Sequence, residues 1–465
     1  LSTRRLDQDF SITQYRSAKQ RALATGVLFK RPSAGALNTN TNPTDFYPDT
    51  KYNARQQRKT MSSETISETT VGAEDKGLGK HEVDQAIQGG KPPVRPKLPS
   101  LTGTRFWAAL LVFLFHASLP SDLAPFADPT TQSVFALIVS KGGWLGVSYF
   151  FILSGFIMVW SAKDHDTVGD FYLRRFAKIY PTHCLTWAMA FVIGAVTVGG
   201  YKLWSSNLLL ANTWVNDVKF FFVANRPSWS LCIEAFFYLL FPFLLNLMQA
   251  IPRRFDLPAW GLVTIGALLV QGYIYIWVEP NQMMRAFPIS QQQFWASYIF
   301  PPTRLFEFLA GMFIARLLQD GRAPVMPKSA ALALLLTSYV GAMFIPFQFS
   351  MSVVYIVPVS LLIVSIAHDD LEARKSFLSA KTSVWLGEIS YAFYMVHFLV
   401  LFCFLNLISG KKFSLPAGIA LIAMALILSV TCASFMYRYV EAPMMRKILH
   451  HFRSRNLRVL SHKTG

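Results

Sequence analysis

Charge is scarce in this sequence where a soluble chain would need it. Asp, Glu, Lys and Arg make up only 15% of the residues, against roughly 25% in soluble domains. Long stretches carry none at all, and their apolar residues run continuously instead of recurring at the spacing of one helix face. That excludes an ordinary soluble core built from amphipathic helices. Cysteine is also rare. Cys184, Cys232, Cys403 and Cys432 all lie inside apolar stretches, and their spacing frames neither a disulfide scaffold nor a metal site. No resident metal or permanently bound cofactor is expected. Acidic residues are outnumbered, 26 against 44 basic, for a formal charge of +18. The basic residues are spread over tails and short loops and do not form one folded face. A nucleic-acid partner is therefore not expected, and a lipid bilayer is.

The sequence is rich in apolar bulk. Hydrophobic residues are 52% of the chain, Phe alone occupies 39 positions, and the mean hydropathy is +0.34. Apolar runs recur near the ~20 residues that a helix needs to cross a bilayer of ~30 Å. They predict spans at 103–119, 144–161, 180–199, 229–248, 259–278, 304–319, 330–347, 351–368, 384–407 and 416–439. The expected fold is all-α and integral to the membrane, a bundle of about ten transmembrane helices. The span at 304–319 is the weakest, being short and carrying Arg304 and Glu307. Basic residues favour one set of loops (Lys163, Arg174, Arg175, Lys178, Arg253, Arg254, Arg322, Lys328, Arg374 and Lys375 among them). This bias predicts both termini in the cytoplasm and a multi-pass protein of the inner cell membrane.

The spans divide the chain into three. Residues 1–100 are polar, without apolar periodicity, and are expected to be disordered. Their first methionine is Met61, so translation is expected to start there, with 1–60 as a fragment or upstream reading frame. Residues 101–445 form the transmembrane domain, and 446–465 a basic cytoplasmic tail.

Polar side chains within the spans need a reason, because a charge at mid-membrane costs at least ~2.5 kcal/mol on insertion scales. Arg105 and His116 stand eleven residues apart in the first span, on nearly one face and separated by about 16 Å of helix rise. The plain alternative is an Arg snorkelling to the headgroups and a hydrogen-bonded structural His. Arg174, Arg175 and Lys178 crowd the inner end of the third span before Tyr180-Pro181. Topology alone can explain them, but Arg175 and Lys178 share a helix face and make a candidate phosphate clamp. Glu234 lies inside the fourth span with Tyr238 one turn on, and an acid buried in lipid is seldom only structural. Ser390-Tyr391 is followed by Tyr394 and a second intramembrane imidazole, His397. Arg304 and Glu307, three residues apart, can neutralise one another. Ser154-Gly155 reads as a helix-packing pair, not a hydrolase nucleophile.

Taken in order, these blocks resemble the membrane acyltransferase-3 family, whose bacterial members O-acylate surface sugars and some antibiotics. The blocks are Arg105…His116, Gly143-Trp-Leu-Gly146 through Ser154-Gly155-Phe156, Arg174-Arg175-Phe-Ala-Lys178-Ile-Tyr180-Pro181, and Trp229-Ser230-Leu231 with Glu234 and Tyr238. Arg304 with Glu307 and Gly311, Ser390-Tyr391 with His397, and Glu441-Ala-Pro443 follow. The resemblance covers about residues 100–445. It departs at Lys178, where the family usually carries a second Arg, and Lys lacks the bidentate fork.

The resemblance implies an acyltransferase moving an acyl group, acetyl by default, from acyl-CoA (acetyl-CoA) as co-substrate to a hydroxyl of a carbohydrate, glycolipid or exopolysaccharide. Arg105, Arg175 and Lys178 are then expected to hold donor phosphates. His116 is expected to meet the thioester near mid-membrane, as general base or as acyl-carrying nucleophile. Glu234 is the expected carboxylate for orienting His116, with Arg304 as its other candidate partner. Tyr238, Arg304, Glu307, Tyr391 and His397 are supporting residues. A multi-span secondary transporter and acylation of a macrolide-type small molecule are the alternatives.

Overall fold

The computed structural model describes residues 95–463 except 164–165, 195–199 and 285, with side chains to residue 452. The expectations for 1–94, including the start at Met61, lie outside the described residues.

The described residues form helices and no strand; the β contacts recorded among them are two isolated bridges, Phe126–Phe413 and Met283–Ser290. The helices are α1 (Pro99–Ser118), α2 (Pro129–Val139), α3 (Gly142–Trp160), α4 (Val168–Val192), α5 (Tyr201–Leu208), α6 (Ser228–Ala250) and α7 (Asp256–Trp277). They continue with α8 (Pro301–Gln319), α9 (Lys328–Gly341), α10 (Ile356–Leu371), α11 (Lys381–Glu388), α12 (Ser390–Ile408), α13 (Leu415–Met436) and α14 (Ala442–Lys463). Among the described residues, seven helical stretches are long and apolar enough to cross a membrane. A helix underlies each of the ten expected spans, but those at 180–199, 304–319 and 330–347 do not meet that standard. α4 and α8 carry too many charges, and α9 has only 14 residues.

α8 is the most informative of the three. Its charges are deep inside the bundle. Arg304 has no exposed surface and Glu307 only 2%, and the guanidinium grips the carboxylate through Nε at 2.5 Å and through a second nitrogen at 3.0 Å. It also lies 4.2 Å from the Tyr298 ring and donates to the Tyr298 carbonyl. The i, i+3 pairing expected from the sequence is thus the one formed. Polarity lowered the hydropathy of this helix because it faces protein and not lipid.

Close backbone approach holds the centre. Gly155 of α3 and Gly311 of α8 face each other's helices: a Cβ on Gly155 would strike the Phe308 carbonyl, and one on Gly311 the Ile152 carbonyl. Small residues let two helices meet in this way where apolar burial gives no net drive. α1 is fixed beside them. Its first turn is capped from α10, where Asp370 accepts from the Ser100 backbone N–H (2.9 Å) and hydroxyl (2.6 Å). Arg95 ties the lead-in of α1 to the last carbonyls of α3, those of Val159 and Trp160. The start of α1 and the end of α3 therefore lie at one end of the bundle, and His116 at the other.

Candidate active site

The site grows from the way the chain leaves α1. After Ser118 the backbone turns back on itself. Asp122 N–H and Leu123 N–H both bond the Leu119 carbonyl, and Ala124 N–H reaches the Ala117 carbonyl. Ala124 takes a left-handed φ of 42°, a conformation strained for a residue with a Cβ. The surroundings fix it there: Lys412 donates to its carbonyl at 2.6 Å, and Phe413 brackets the next turn through bonds with Pro125 and Ala127. The fold-back returns Asp122 to the helix end it has just left.

Asp122 consequently meets His116. Its Oδ2 is 2.5 Å from Nδ1 of the imidazole, while Oδ1 accepts from Arg226 at 2.6 Å and from the Ser121 hydroxyl at 2.7 Å. The carboxylate is fully buried. Burial works against its ionisation, yet the His116 hydrogen bond, the His116 and Arg226 charges and the Ser121 hydroxyl together hold its carboxyl below the usual range. An ionised Asp122 can only accept, so Nδ1 of His116 carries a hydrogen, and whenever the ring is neutral Nε2 is the nitrogen with the lone pair. This is the histidine arrangement that acyl-transfer chemistry requires. Arg226 rests 5.1 Å from the Phe398 ring, and the His116 ring touches that of His397 with centroids 5.4 Å apart.

Two expectations are corrected here. Glu234 does not orient His116. Its Oε1 accepts from the Tyr238 hydroxyl, one helical turn away, and from Ser154 at 3.3 Å. Nor does Glu234 meet Arg304, which is taken up by Glu307. His116 also sits two residues from the end of α1, not at its middle. The partner is not a carboxylate inside a span but one in the loop after α1. The available signal was Pro120-Ser121-Asp122, turn chemistry immediately after an intramembrane His.

At the opposite end, α3, α4 and α6 enclose a cavity of about 380 Å³ lined by Lys163, Arg174 and Arg175 together with Phe171, Phe241 and Asn246. Arg174 pairs with Asp166 at 2.7 Å. Arg175 makes no ion pair among the described residues; its guanidinium lies between the Phe171 and Tyr238 rings, 5.7 Å from each, and its buried Nε has no partner. Lys178, expected beside it as a clamp, is directed elsewhere. It bonds Glu441, which the π-turn Tyr437–Glu441 brings inward and which Thr182 also approaches. A buried carboxylate is the stronger local attraction for that ammonium. Arg105 is half-buried on α1 and makes no ion pair among the described residues.

Between the two ends runs a line of polar groups along one face of α6. Ser230, Glu234 and Tyr238 recur every fourth residue, a rise of about 12 Å. Ser230 bonds the Tyr394 hydroxyl at 2.7 Å, and Tyr394 stands one turn before His397, whose Nδ1 bonds the Tyr394 carbonyl. Tyr238 adjoins Arg175 at the cavity. Tyr391 closes the wall by donating to the Ile179 carbonyl of α4 at 2.8 Å. A line of buried and half-buried polar groups thus runs along α6 between the His116–His397 end and the basic cavity.

Comparison with known proteins agrees. The family model for the acyltransferase domain, Acyl_transf_3, matches residues 98–437. The chain belongs to this family and is a membrane acyltransferase. It is 34% identical to the acyltransferase MdmB of Streptomyces mycarofaciens over 370 residues, covering 76% of this chain and 93% of MdmB. It is 22% identical to the peptidoglycan O-acetyltransferase OatA of Listeria monocytogenes over 388 residues, covering 76% of this chain but 56% of OatA. A putative O-acetyltransferase of Staphylococcus aureus is 25% identical over 392 residues, 75% of this chain and 58% of that protein. No solved structure matches. Membership in an enzyme family removes the transporter alternative.

Proposed function

We propose that this enzyme takes acetyl from acetyl-CoA on the cytoplasmic side and delivers it to a hydroxyl of a carbohydrate or glycolipid near the opposite face of the inner membrane. The bundle crosses the bilayer ten times in this reading, with both termini inside.

The observation that carries it is the polar line on α6 between the basic cavity and His116. Coenzyme A is an anionic nucleotide with a long, thin, amide-bearing arm. Lys163 and Arg175 offer cations to its phosphates, and Phe171 and Phe241 offer rings. Tyr238, Glu234, Ser154 and Ser230 supply partners to the amides of an arm lying along α6. The thioester then arrives beside the imidazole. Asp122 keeps Nε2 of His116 free and stabilises positive charge on the ring as the reaction proceeds. The donor role moves from Lys178 to Lys163, while Arg175 keeps its own and Arg105, at the same end, remains available to the donor. Glycan acceptors are supported by the peptidoglycan named for OatA.

Sealed membrane vesicles test the sidedness. Radiolabelled acetyl-CoA supplied to inside-out vesicles should label membrane glycan, and the same donor outside right-side-out vesicles should not. Labelling only from the outer face would overturn the proposal.

A further inference from the structure

His397 has unusual surroundings. The ring is completely buried on α12. Its Nδ1 lies 2.7 Å from the Tyr394 carbonyl. A carbonyl oxygen only accepts, so Nδ1 carries the hydrogen, and in a neutral ring Nε2 is a bare lone pair. That Nε2 is buried without a hydrogen-bond partner among the described residues. Leaving a buried polar atom unpaired costs about 1–3 kcal/mol, and such atoms in native proteins call for an explanation. Phe393 stacks on the ring and Phe113 flanks it. Among the described residues its imidazole neighbour is His116, at 5.4 Å between centroids.

Two adjacent imidazoles therefore each commit Nδ1–H to a fixed acceptor, and each keeps Nε2 as a lone pair. A single-step transfer needs only one such base, because the acceptor hydroxyl has one proton to lose. A second is required when the first carries the acyl group. We propose that His116 is the acyl carrier and that His397 is a further catalytic residue, the base that activates the acceptor hydroxyl. The proposal rests on the acyl-CoA reading above.

The steps balance. Nε2 of His116 bonds the thioester carbonyl carbon and the C–S bond breaks. CoA leaves as the thiolate, and the acyl-imidazolium keeps its Nδ1 proton against Asp122. The acceptor hydroxyl then gives its proton to Nε2 of His397 while its oxygen bonds the acyl carbon. The N–C bond breaks, and His116 returns to its neutral form with Nδ1 protonated. The proton on His397 passes to the thiolate, completing CoA-SH. Burial suits this role, since a base that bulk water cannot reach does not activate water against the acyl group.

Two substitutions separate the halves of the ring. In His397→Asn the amide N–H replaces Nδ1–H toward Tyr394, and only Nε2 is lost. In His397→Gln the amide replaces Nε2 as an acceptor without being a base. The full chain in dodecyl maltoside, whose sugar hydroxyls act as probe acceptors, is mixed with radiolabelled acetyl-CoA and followed by rapid quench. Wild type should release CoA continuously. Both variants should release one equivalent of CoA, retain one equivalent of label on protein, and lose steady-state turnover by about 10²–10⁴-fold. His116→Ala should show no burst. Steady-state turnover in His397→Asn within about tenfold of wild type would refute the role of His397 alone. Loss of the burst together with turnover, in folded variants that still bind acetyl-CoA, would refute the acyl carrier. Wild type that neither binds acetyl-CoA nor releases CoA would overturn the donor reading and this proposal with it.

Discussion

Asp122 reaches back six residues to place a carboxylate oxygen 2.5 Å from Nδ1 of His116. That contact exists because α1 ends two residues after His116 and the chain folds over its own end. It settles which nitrogen of the imidazole is left for chemistry.

Replacing Asp122 by Asn should therefore keep the shape of the loop and lose the chemistry. The amide can donate to Nδ1 and stabilise the wrong tautomer, and it brings no charge. Turnover should fall about 10²–10⁴-fold, with donor affinity unchanged within a factor of two or so. Acetyl-CoA binding by calorimetry and turnover by CoA release, measured on the same preparation, check this. Weakened binding with turnover intact would assign Asp122 to the donor instead.

The same carboxylate sets a pH dependence of stability. Its pKa lies below the ordinary 3.8 in the fold. The stabilisation it gives is thus complete above that value and is lost as pH falls through the lower folded value. The melting temperature of wild type should exceed that of Asp122→Asn at about pH 5, and the margin should shrink as pH falls below about 4. A margin that grows on acidification below about pH 4 would contradict the assigned charge state.

Lys178 and Arg175 should behave differently although they lie three residues apart. Lys178→Ala leaves Glu441 buried without its cation and should lower the melting temperature, with the KM for donor nearly unchanged. Lys178→Arg keeps the charge and should restore most of the stability. If Lys178→Ala raises the donor KM tenfold in stably folded protein, Lys178 belongs to the donor site.

Gly311→Ala adds one methyl directly against the Ile152 carbonyl. The backbone of α3 cannot yield as a flexible side chain would, so overpacking of at least about 1–3 kcal/mol is expected. Detergent-solubilised protein should show reduced yield and a lower melting temperature. Gly261→Ala, where open space surrounds the added atom, is the control and should be neutral.

Much of this was legible in the sequence, and the exceptions have physical reasons. Apolar runs located a helix at each of the ten expected spans, because length and hydropathy are what a bilayer selects, but not the polar 22-residue α14. α8 was underrated since its charges lower hydropathy while pairing inside the protein. His116 and Glu234 stand out because a polar or charged group within an apolar run is costly, and Arg175 and Tyr238 by their helical spacing from Lys178 and Glu234. The Glu234–Tyr238 pair was legible as one helical turn, but the partners of His116 and Lys178 were not. Asp122, Arg226 and Glu441 come from loops and a π-turn, where contact depends on how the chain turns and not on helical spacing. Lys163 was counted for topology alone, though it lines the same cavity as Arg175.

The most direct test of the central claim is acetyl-CoA binding and turnover by the purified enzyme, with wild type beside Arg175→Ala and His116→Ala. Arg175→Ala should weaken binding at least severalfold while leaving residual chemistry. His116→Ala should bind as wild type does and lose turnover by at least about 10²-fold. Equal binding by wild type and Arg175→Ala, or turnover by His116→Ala above a tenth of the wild-type rate, would contradict a donor held at the basic cavity and reacting at His116.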